Sequence, residues 1–178
     1  VVIGLIGVAG AGGLLLTQGY RMERITVWLD PAASEKGHQT IQGLYAIGSG
    51  GLFGKGLGQS MQKLGFLPEA NNDMIFSVIC EELGLFGALC VLALFFALIW
   101  RFMVIAVNAP DLYGSMIVVG VIAHIGIQVF INIAVATNTI PNTGIPLPFI
   151  SYGGSSLVFM LLEMGLVLSV SRYINVKK

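Results

Sequence analysis

Four apolar stretches limit what this chain can fold into. They cover residues 1–18, 74–103, 112–135 and 155–170, and a helix needs about 20 apolar residues to cross the hydrocarbon core of a bilayer. Of the 178 residues, 56% are hydrophobic and only 10% are charged, whereas a soluble domain is typically about 25% charged. The sequence therefore predicts an all-α integral membrane protein, a polytopic helix bundle with about four transmembrane helices in a single membrane domain.

The charged residues and the cysteines exclude several kinds of partner. The formal net charge is zero, so nothing indicates binding to nucleic acid. Cys80 and Cys90 lie in one apolar run, where thiols behave as small hydrophobes, and no Cys/His cluster has the spacing of a zinc site. The basic residues are divided almost evenly between the two sides of the predicted spans, so the positive-inside rule leaves the orientation open.

The first apolar stretch lacks the features of a signal peptide. No basic region precedes it and no small-residue cleavage site follows it. Because the chain begins with Val1 inside an apolar run, we expect it to be a fragment, with further spans upstream in the intact protein.

The segment between the first two spans, residues 20–72, is too long for an ordinary connection. Residues 21–31 are amphipathic and end at Pro31, and Trp28 suits the headgroup level, so an interfacial segment is predicted. Residues 41–54 are too apolar for a free loop and too rich in glycine for a stable span. We expect them to pack on the bundle or to enter the interface.

A glycine-rich run at residues 54–60 superficially suggests a phosphate-binding loop. It fails the Walker A pattern because Gly56 follows Lys55, where the motif needs Ser or Thr, and because no strand precedes it. A flexible loop that carries Lys55 close to a substrate phosphate stays open as an alternative.

A short polar segment, residues 66–73, carries Glu69 and Asp73 and lies directly against the second span. At the mouth of a span, burial can tune the acidity of a carboxylate that a substrate can still reach. Asp73 is therefore the strongest catalytic candidate. An Asp before a helix is also a favoured N-cap, and a loop Glu such as Glu69 is often only a solvated charge, so these alternatives stay open.

Several polar side chains lie inside the predicted spans. Glu81 and Glu82 are about two turns into the second span, and at least one must face the bundle interior or water. We expect structural pairing there, for instance with a loop arginine or lysine, rather than chemistry. Glu163 is interpreted either as a proton-relay or ligand residue or as a hydrogen-bond partner of His124 or Asn132.

The connection before the last span, residues 138–154, is rich in proline yet largely apolar. Pro146 and Pro148 forbid a continuous helix, which predicts a broken or re-entrant segment at membrane depth. The segment opens into a helix with Ser155 in its first turn, and helix N-termini bind polar ligands through backbone amides. The candidate ligand-binding residues here are Ser151, Tyr152, Gly153, Gly154 and Ser155.

Several of these stretches together resemble the SEDS family (shape, elongation, division and sporulation), the FtsW/RodA/SpoVE group. The resemblance covers nearly the whole chain, and the ending Ser171-Arg172-Tyr173 is similar to the division or sporulation branch. The motifs that carry it, in chain order, are RITVWLDP at 24–31, AIGSGGL at 46–52, LPE at 67–69 with Asn72-Asp73, EELG at 81–84 and GIPLPFISYGGSS at 144–156.

The resemblance implies a fold and an activity. Family members have roughly ten spans, so this chain would supply the C-terminal part, with its long loop outside the cell and its C-terminus inside. They are peptidoglycan glycosyltransferases of the bacterial cytoplasmic membrane, which polymerise lipid II and release undecaprenyl pyrophosphate. The implied partners are lipid II, membrane lipids and a class B penicillin-binding transpeptidase.

The resemblance also assigns site residues. Asp73 matches the essential aspartate of the family and would act as general base on the acceptor hydroxyl, although Asn72 stands where Thr is common and Met74 where Phe is common. The pyrophosphate leaving group needs cations, for which Lys55 and Lys63 are candidates, with a divalent cation such as Mg²⁺ or Mn²⁺ as an uncertain cofactor. The implied substrate-binding set is Lys55, Lys63, Glu69, Asn72, Ser151, Tyr152, Gly153, Gly154 and Ser155.

Two alternatives come from other functional classes. A lipid II flippase would use Glu163 and His124 as polar residues of a transport path. A non-catalytic scaffold would only recruit and activate the transpeptidase. Because residues from the missing half would complete the cavity, we expect the fragment alone to be inactive.

Overall fold

A computed structural model of the chain describes residues 19–33, 37–62, 67 and 70–174. In chain order, the helices are α1 (Gly19–Leu29), a short 3-10 turn (Pro31–Ala33), α2 (His38–Gly50), α3 (Ile75–Val107), α4 (Leu112–Ala136) and α5 (Gly154–Arg172). No strand occurs among these residues, and the predicted all-α class is confirmed. The predicted first span, residues 1–18, lies outside the described residues, as do Lys63 and Glu69.

Helices α3, α4 and α5 are long and apolar enough to cross a membrane. They are separated by residues that stop a helix or start one. Helix α3 ends before Pro110, and Asp111 caps the next helix, since its carboxylate accepts a hydrogen bond from the Gly114 amide at 3.1 Å. Helix α5 starts at a glycine pair, after the proline-rich segment has ended.

The core lies between α3 and α4 and continues onto α5. Small and large side chains share the buried face of α3, which allows the close approach that helix packing in lipid requires. The opposite faces carry large exposed apolar side chains such as Leu94, Phe96 and Trp100. The buried set includes Phe76, Cys80, Ala88, Phe95, Phe102 and Ala106 on α3, Val118, Val121, Ile125, Val129 and Ala136 on α4, and Met160 and Val167 on α5.

Among its described residues, the long segment between the first two predicted spans forms two α-helices and the short 3-10 turn. Helix α1 corresponds to the predicted amphipathic stretch, and the Trp28 indole donates a hydrogen bond to the Asn138 carbonyl at 2.9 Å. Helix α2 packs along the first turns of α3 with its glycine-containing face, where Ala46 is fully buried. The apolar middle of the segment therefore packs on the bundle, which was one of its two expected positions.

Helix α3 is interrupted at Gly84, whose φ of 67° and ψ of −165° are not helical. The turn after α2 fills the interruption. Lys55 and Gly56 donate backbone hydrogen bonds to the carbonyls of Glu81 and Glu82, both at 2.9 Å. In return, the amides of residues 85 and 86 donate to the carbonyls of residues 51 and 52 at 2.9 and 3.2 Å. Two carbonyls and two amides beside the break thereby gain partners from the turn, as buried backbone groups require.

We expect Gly84→Ala to destabilise the protein by at least about 2 kcal/mol, because a side chain at positive φ is strained and a Cβ here has no space. The added Cβ would lie 2.4 Å from the Gly54 nitrogen and 2.6 Å from the Leu52 carbonyl carbon. Thermal unfolding of the full-length protein in detergent measures the effect. Gly48→Ala on α2 is the matched control, since its Cβ meets nothing within 4 Å; equal losses for both variants would contradict the account of the break.

Candidate functional site

Asp73 lies at the entrance of α3, one residue before the helix N-cap. Its side chain is only 8% exposed, and its Oδ1 accepts a hydrogen bond from Nε2 of Gln39 on α2 at 3.3 Å. The N-cap of α3 is Met74, which makes no side-chain capping bond. The carboxylate is therefore turned toward α2.

The backbone around Asp73 is fixed by α4. Asn132 is 1% exposed, and its Nδ2 donates to the Asp73 carbonyl at 2.8 Å and to the Ile145 carbonyl at 2.9 Å. One amide group thus joins the entrance of α3 to the proline-rich segment. Because Asn132 is buried and its amide needs hydrogen-bond partners, this bridge holds the two segments in register.

The proline-rich segment forms hydrogen bonds with the backbone of the residues just before Asp73. The Ser151 hydroxyl donates to the Asn72 carbonyl at 2.6 Å and accepts from the Leu147 amide at 2.7 Å. The Tyr152 amide donates to the Asn71 carbonyl at 2.8 Å. The tight turn that delivers these groups places Phe149 at a φ of 62°, a left-handed conformation that few non-glycine residues adopt.

A cavity of about 410 Å³ opens beside this contact. It lies where the proline-rich segment passes into the first turn of α5, so backbone amides at a helix N-terminus border it. Its lining combines polar backbone with apolar side chains. The lining residues are Asn71, Ile75, Phe149, Ile150, Ser151, Tyr152, Gly153, Gly154 and Leu157.

A family model named FTSW_RODA_SPOVE, described as cell cycle protein, matches residues 1–176. The chain belongs to the FtsW/RodA/SpoVE family. The match covers every motif that carried the resemblance, and it confirms the predicted family.

Among relatives in this family, stage V sporulation protein E of Bacillus subtilis (strain 168) is 56% identical over 97% of this chain and 48% of that protein. The probable peptidoglycan glycosyltransferase FtsW of Geobacter sp. (strain M18) is 43% identical over 95% of this chain and 47% of that protein. The chain therefore spans about half the length of the curated relatives it matches.

Solved structures of the family share the fold. A chain from a peptidoglycan synthase complex, described as coordinating polymerization and crosslinking, superposes with a TM-score of 0.72 at 29% identity, over 99% of this chain and 49% of that one. The rod shape determining protein RodA of Thermus thermophilus superposes with a TM-score of 0.56 at 38% identity, over 74% of this chain and 39% of that one.

The structure brings together only some of the residues predicted for the site of this FtsW/RodA/SpoVE protein. Ser151, Tyr152, Gly153 and Gly154 line the cavity, and Asn72 joins them through its carbonyl. Ser155 follows in the first turn of α5 and does not line it. Asp73 lies next to this contact but is not among the lining residues.

Lys55 lies elsewhere, in the turn that fills the break of α3. Its Nζ is 2.6 Å from the Glu81 carboxylate, and its side chain is 34% exposed. Glu81 is eight residues along the chain from Asp73, about two turns into α3. The predicted pairing of a span glutamate with a loop lysine is confirmed.

Three side chains around Asp73 were not linked to it from sequence, namely Gln39, Asn142 and Asn132. For Asn132 a signal existed, since an amide inside an apolar span needs a buried partner. For Gln39 a weaker signal existed, because Gly43, Ala46 and Gly50 follow it on one helical face. That face packs on α3, as the burial of those three residues records.

The polar residues of α4 and α5 form a separate cluster at membrane depth. His124 Nδ1 lies 2.7 Å from Glu163 Oε1, and His124 Nε2 lies 2.9 Å from Gln128 Nε2. Because the Gln128 amide nitrogen can only donate, His124 is assigned the tautomer that donates from Nδ1 to Glu163. Of the two partners predicted for Glu163, the structure shows His124.

The described residues give no ligand set for a divalent cation. Within the ranges that the structure covers, no three His, Cys, Asp or Glu side chains come together as a metal site. This part of the chain therefore offers no cluster that fits the Mg²⁺ or Mn²⁺ left open by the resemblance, and no chemical step is derived through such a cation.

We expect Asn132→Ala to destabilise the protein by about 2–3 kcal/mol, since it removes the donor shared by two carbonyls and leaves a small void. Asn108→Ala at the exposed end of α3 is the matched control, because its side chain bonds only the local Val104 carbonyl. Thermal unfolding of the full-length protein measures both. A loss for Asn132→Ala no larger than that for Asn108→Ala would contradict the bridging role.

Proposed function

We propose that the full-length protein containing this chain is a peptidoglycan glycosyltransferase, which polymerises lipid II into glycan strands and releases undecaprenyl pyrophosphate. The observation that carries the proposal is the placement of Asp73, a buried residue at the mouth of a span. Its carboxylate bonds α2, and the backbone at residues 72 and 73 is held by the proline-rich segment and α4. Relatives named probable peptidoglycan glycosyltransferase FtsW support it.

The proposed step is a displacement at the anomeric carbon of the donor sugar. The acceptor hydroxyl oxygen forms the new bond to that carbon, and the bond between the carbon and the pyrophosphate oxygen breaks with its electron pair. Asp73 takes the hydroxyl proton as general base. Pyrophosphate is already a good leaving group, so this step needs no strong general acid but does need groups that stabilise its negative charge.

Two features support binding of the negatively charged pyrophosphate group. The cavity is bordered by Gly153 and Gly154 at the first turn of α5, and free amides at a helix N-terminus favour phosphate oxygens. We further propose that Lys55, and Lys63 with Glu69 and Asn72, contribute to the substrate surface of the outer loop. The paired but partly exposed ammonium of Lys55 keeps donors that a phosphate could approach.

The partner and the location belong to the same proposal. We propose a class B penicillin-binding transpeptidase as partner, because a structural relative comes from a complex that coordinates polymerization and crosslinking. The site would face the outside of the bacterial cytoplasmic membrane, in contact with lipid II and membrane lipids. The identity of 56% to a sporulation protein and 46% to FtsW of the same Bacillus subtilis strain supports a role in septum synthesis, in sporulation or division.

The test uses the purified full-length protein with its transpeptidase and lipid II as substrate. Glycan strands and undecaprenyl pyrophosphate should appear together, whereas a pure protein that binds its partner but makes no strands would favour a scaffold. Repeating the assay with EDTA, and then with added Mg²⁺ or Mn²⁺, tests whether strand formation depends on a divalent cation.

A flippase is the second candidate, favoured by the His124–Glu163–Gln128 cluster at membrane depth. Polar side chains are costly there and mark transport paths in many membrane proteins. Transport of lipid II into liposomes that continues in an Asp73→Asn variant, without strand formation, would favour this candidate over the polymerase.

A further inference from the structure

A chain of amide groups leads from the proline-rich segment to Asp73. It begins where the Gly144 amide donates to Asn142 Oδ1 at 2.9 Å. It continues from Asn142 Nδ2 to Gln39 Oε1 at 3.4 Å, and from Gln39 Nε2 to Asp73 Oδ1 at 3.3 Å. We propose that Gln39 is a positioning residue for the Asp73 carboxylate, and that Asn142 determines which end of the Gln39 amide faces it. This inference rests on the proposed function.

The orientation of each amide group in this series of hydrogen bonds follows from which of its atoms can donate and which can accept. A backbone N–H can only donate, so it selects the oxygen of the Asn142 amide and turns the nitrogen toward Gln39. That nitrogen in turn selects the oxygen of the Gln39 amide, which leaves the Gln39 nitrogen for the carboxylate. Although the two ends of an amide are assigned from their partners, here every partner along the chain requires the same assignment.

The backbone at both ends of this series of hydrogen bonds is restrained. The Arg24 guanidinium donates to the Asn142 carbonyl at 2.6 Å, and Gly144 has a φ of 71° that only glycine adopts without strain. On the other side, α2 lies so close to α3 that a Cβ at Gly43 would be 3.3 Å from the Ser77 hydroxyl oxygen. Gln39 therefore approaches Asp73 from a helix that cannot easily shift.

A donor in this position acts on the rotation of the carboxylate. The terminal torsion of an aspartate is broad, so a hydrogen bond to Oδ1 selects the orientation in which the group meets the substrate. An N–H donated to a charged oxygen is also stronger than a bond between neutral groups. Gln39 thus acts through Asp73 and need not contact the sugar itself.

The first test compares Gln39→Leu with Gln42→Leu in the full-length protein with its transpeptidase, using lipid II as substrate. Gln42 is the matched control, an amide three residues further along the same helix with no bond to Asp73. Gln39→Leu should lower kcat by about 10- to 100-fold, as expected for a misplaced catalytic group, with KM for lipid II within about twofold of the wild type and Gln42→Leu unaffected. A kcat for Gln39→Leu within twofold of the wild type would overturn the inference.

The second test reverses the orientation of the Gln39 amide without substituting Gln39. Asn142→Asp keeps an acceptor for the Gly144 amide but offers Gln39 an acceptor in place of a donor. Gln39 should then turn its nitrogen toward position 142 and its oxygen toward Asp73, and kcat should again fall by about 10- to 100-fold. In the Gln39→Leu background the same substitution should have no further effect, since its effect passes through Gln39. A loss that persists in full there would overturn the inference.

Two measurements keep the outcomes separate. Melting temperature and transpeptidase binding report whether Gln39→Leu is folded. If it is not folded, Asn142→Asp alone tests the inference. A lower kcat in that variant would support the positioning role, and a wild-type kcat would contradict it. Full activity in Asp73→Asn would instead contradict the proposed function. Loss of activity in Asp73→Asn together with wild-type kcat in Gln39→Leu would contradict only the positioning role.

Discussion

The Asp73→Asn variant of the full-length protein is expected to polymerise lipid II about 10²- to 10⁴-fold more slowly than the wild type, which is the usual contribution of general base catalysis. Asn has the same size and can still accept the Gln39 hydrogen bond, but it cannot take a proton from the acceptor hydroxyl. The measurement is the initial rate of strand formation with the transpeptidase present.

The structure also predicts what this substitution should leave unchanged. The bonds from Asn132, Ser151 and Tyr152 reach carbonyls at residues 71–73 and not the Asp73 side chain. Melting temperature and transpeptidase binding should therefore stay close to wild-type values. A loss of activity matched by an equal loss of folded protein would indicate that Asp73 is structural.

The Glu81→Gln variant should be less stable than the wild type by about 3 kcal/mol, because it removes the charge at the centre of a buried hydrogen-bond network. Glu81 is 0% exposed. Its carboxylate accepts bonds from Lys55 Nζ at 2.6 Å, from the Ser60 hydroxyl at 2.5 Å, and from the amides of residues 61 and 62 at 3.4 and 3.3 Å. An amide in its place would direct an N–H group at one of these donors.

Thermal unfolding measures this loss, and limited trypsin digestion locates it. Cleavage after Lys55 should become faster in Glu81→Gln, since the variant releases the lysine and the turn that fills the break of α3. Glu82→Gln is the matched control, the same change at the next residue, and should cost less than about 1 kcal/mol. Equal destabilisation and equal cleavage in both variants would contradict the central role of Glu81.

The sequence predicted the helices of this fold better than their interruption. The apolar runs predicted α3, α4 and α5, because the length and apolarity that a membrane span requires can be read from the local sequence alone. The break at Gly84 was not predicted, since Leu83, Leu85 and Phe86 beside it are apolar and continue the helical pattern. It exists only because the turn at residues 51–56 supplies the missing hydrogen bonds, and a contact between distant segments leaves no period in the sequence.

The sequence also predicted only some of the residues of the candidate site. Asp73 was found because it adjoins a span, and the residues around Ser151 were found because prolines break the helix there. The role expected of Ser151 was different, however: its hydroxyl is engaged with the backbone at Asn72 and Leu147. Gln39 and Asn132 reach Asp73 from 34 and 59 residues away, and local patterns cannot predict such pairings.

The central claim, that Asp73 is the base of a glycan polymerase, is tested most directly by the rate at which undecaprenyl pyrophosphate is released from lipid II. Asp73→Asn should be compared with Asp111→Asn, the same substitution at the N-cap of α4, where Asn caps as well as Asp. We expect a near-wild-type rate for Asp111→Asn and a rate at least about 100-fold lower for Asp73→Asn. Equal rates in the two variants would contradict it.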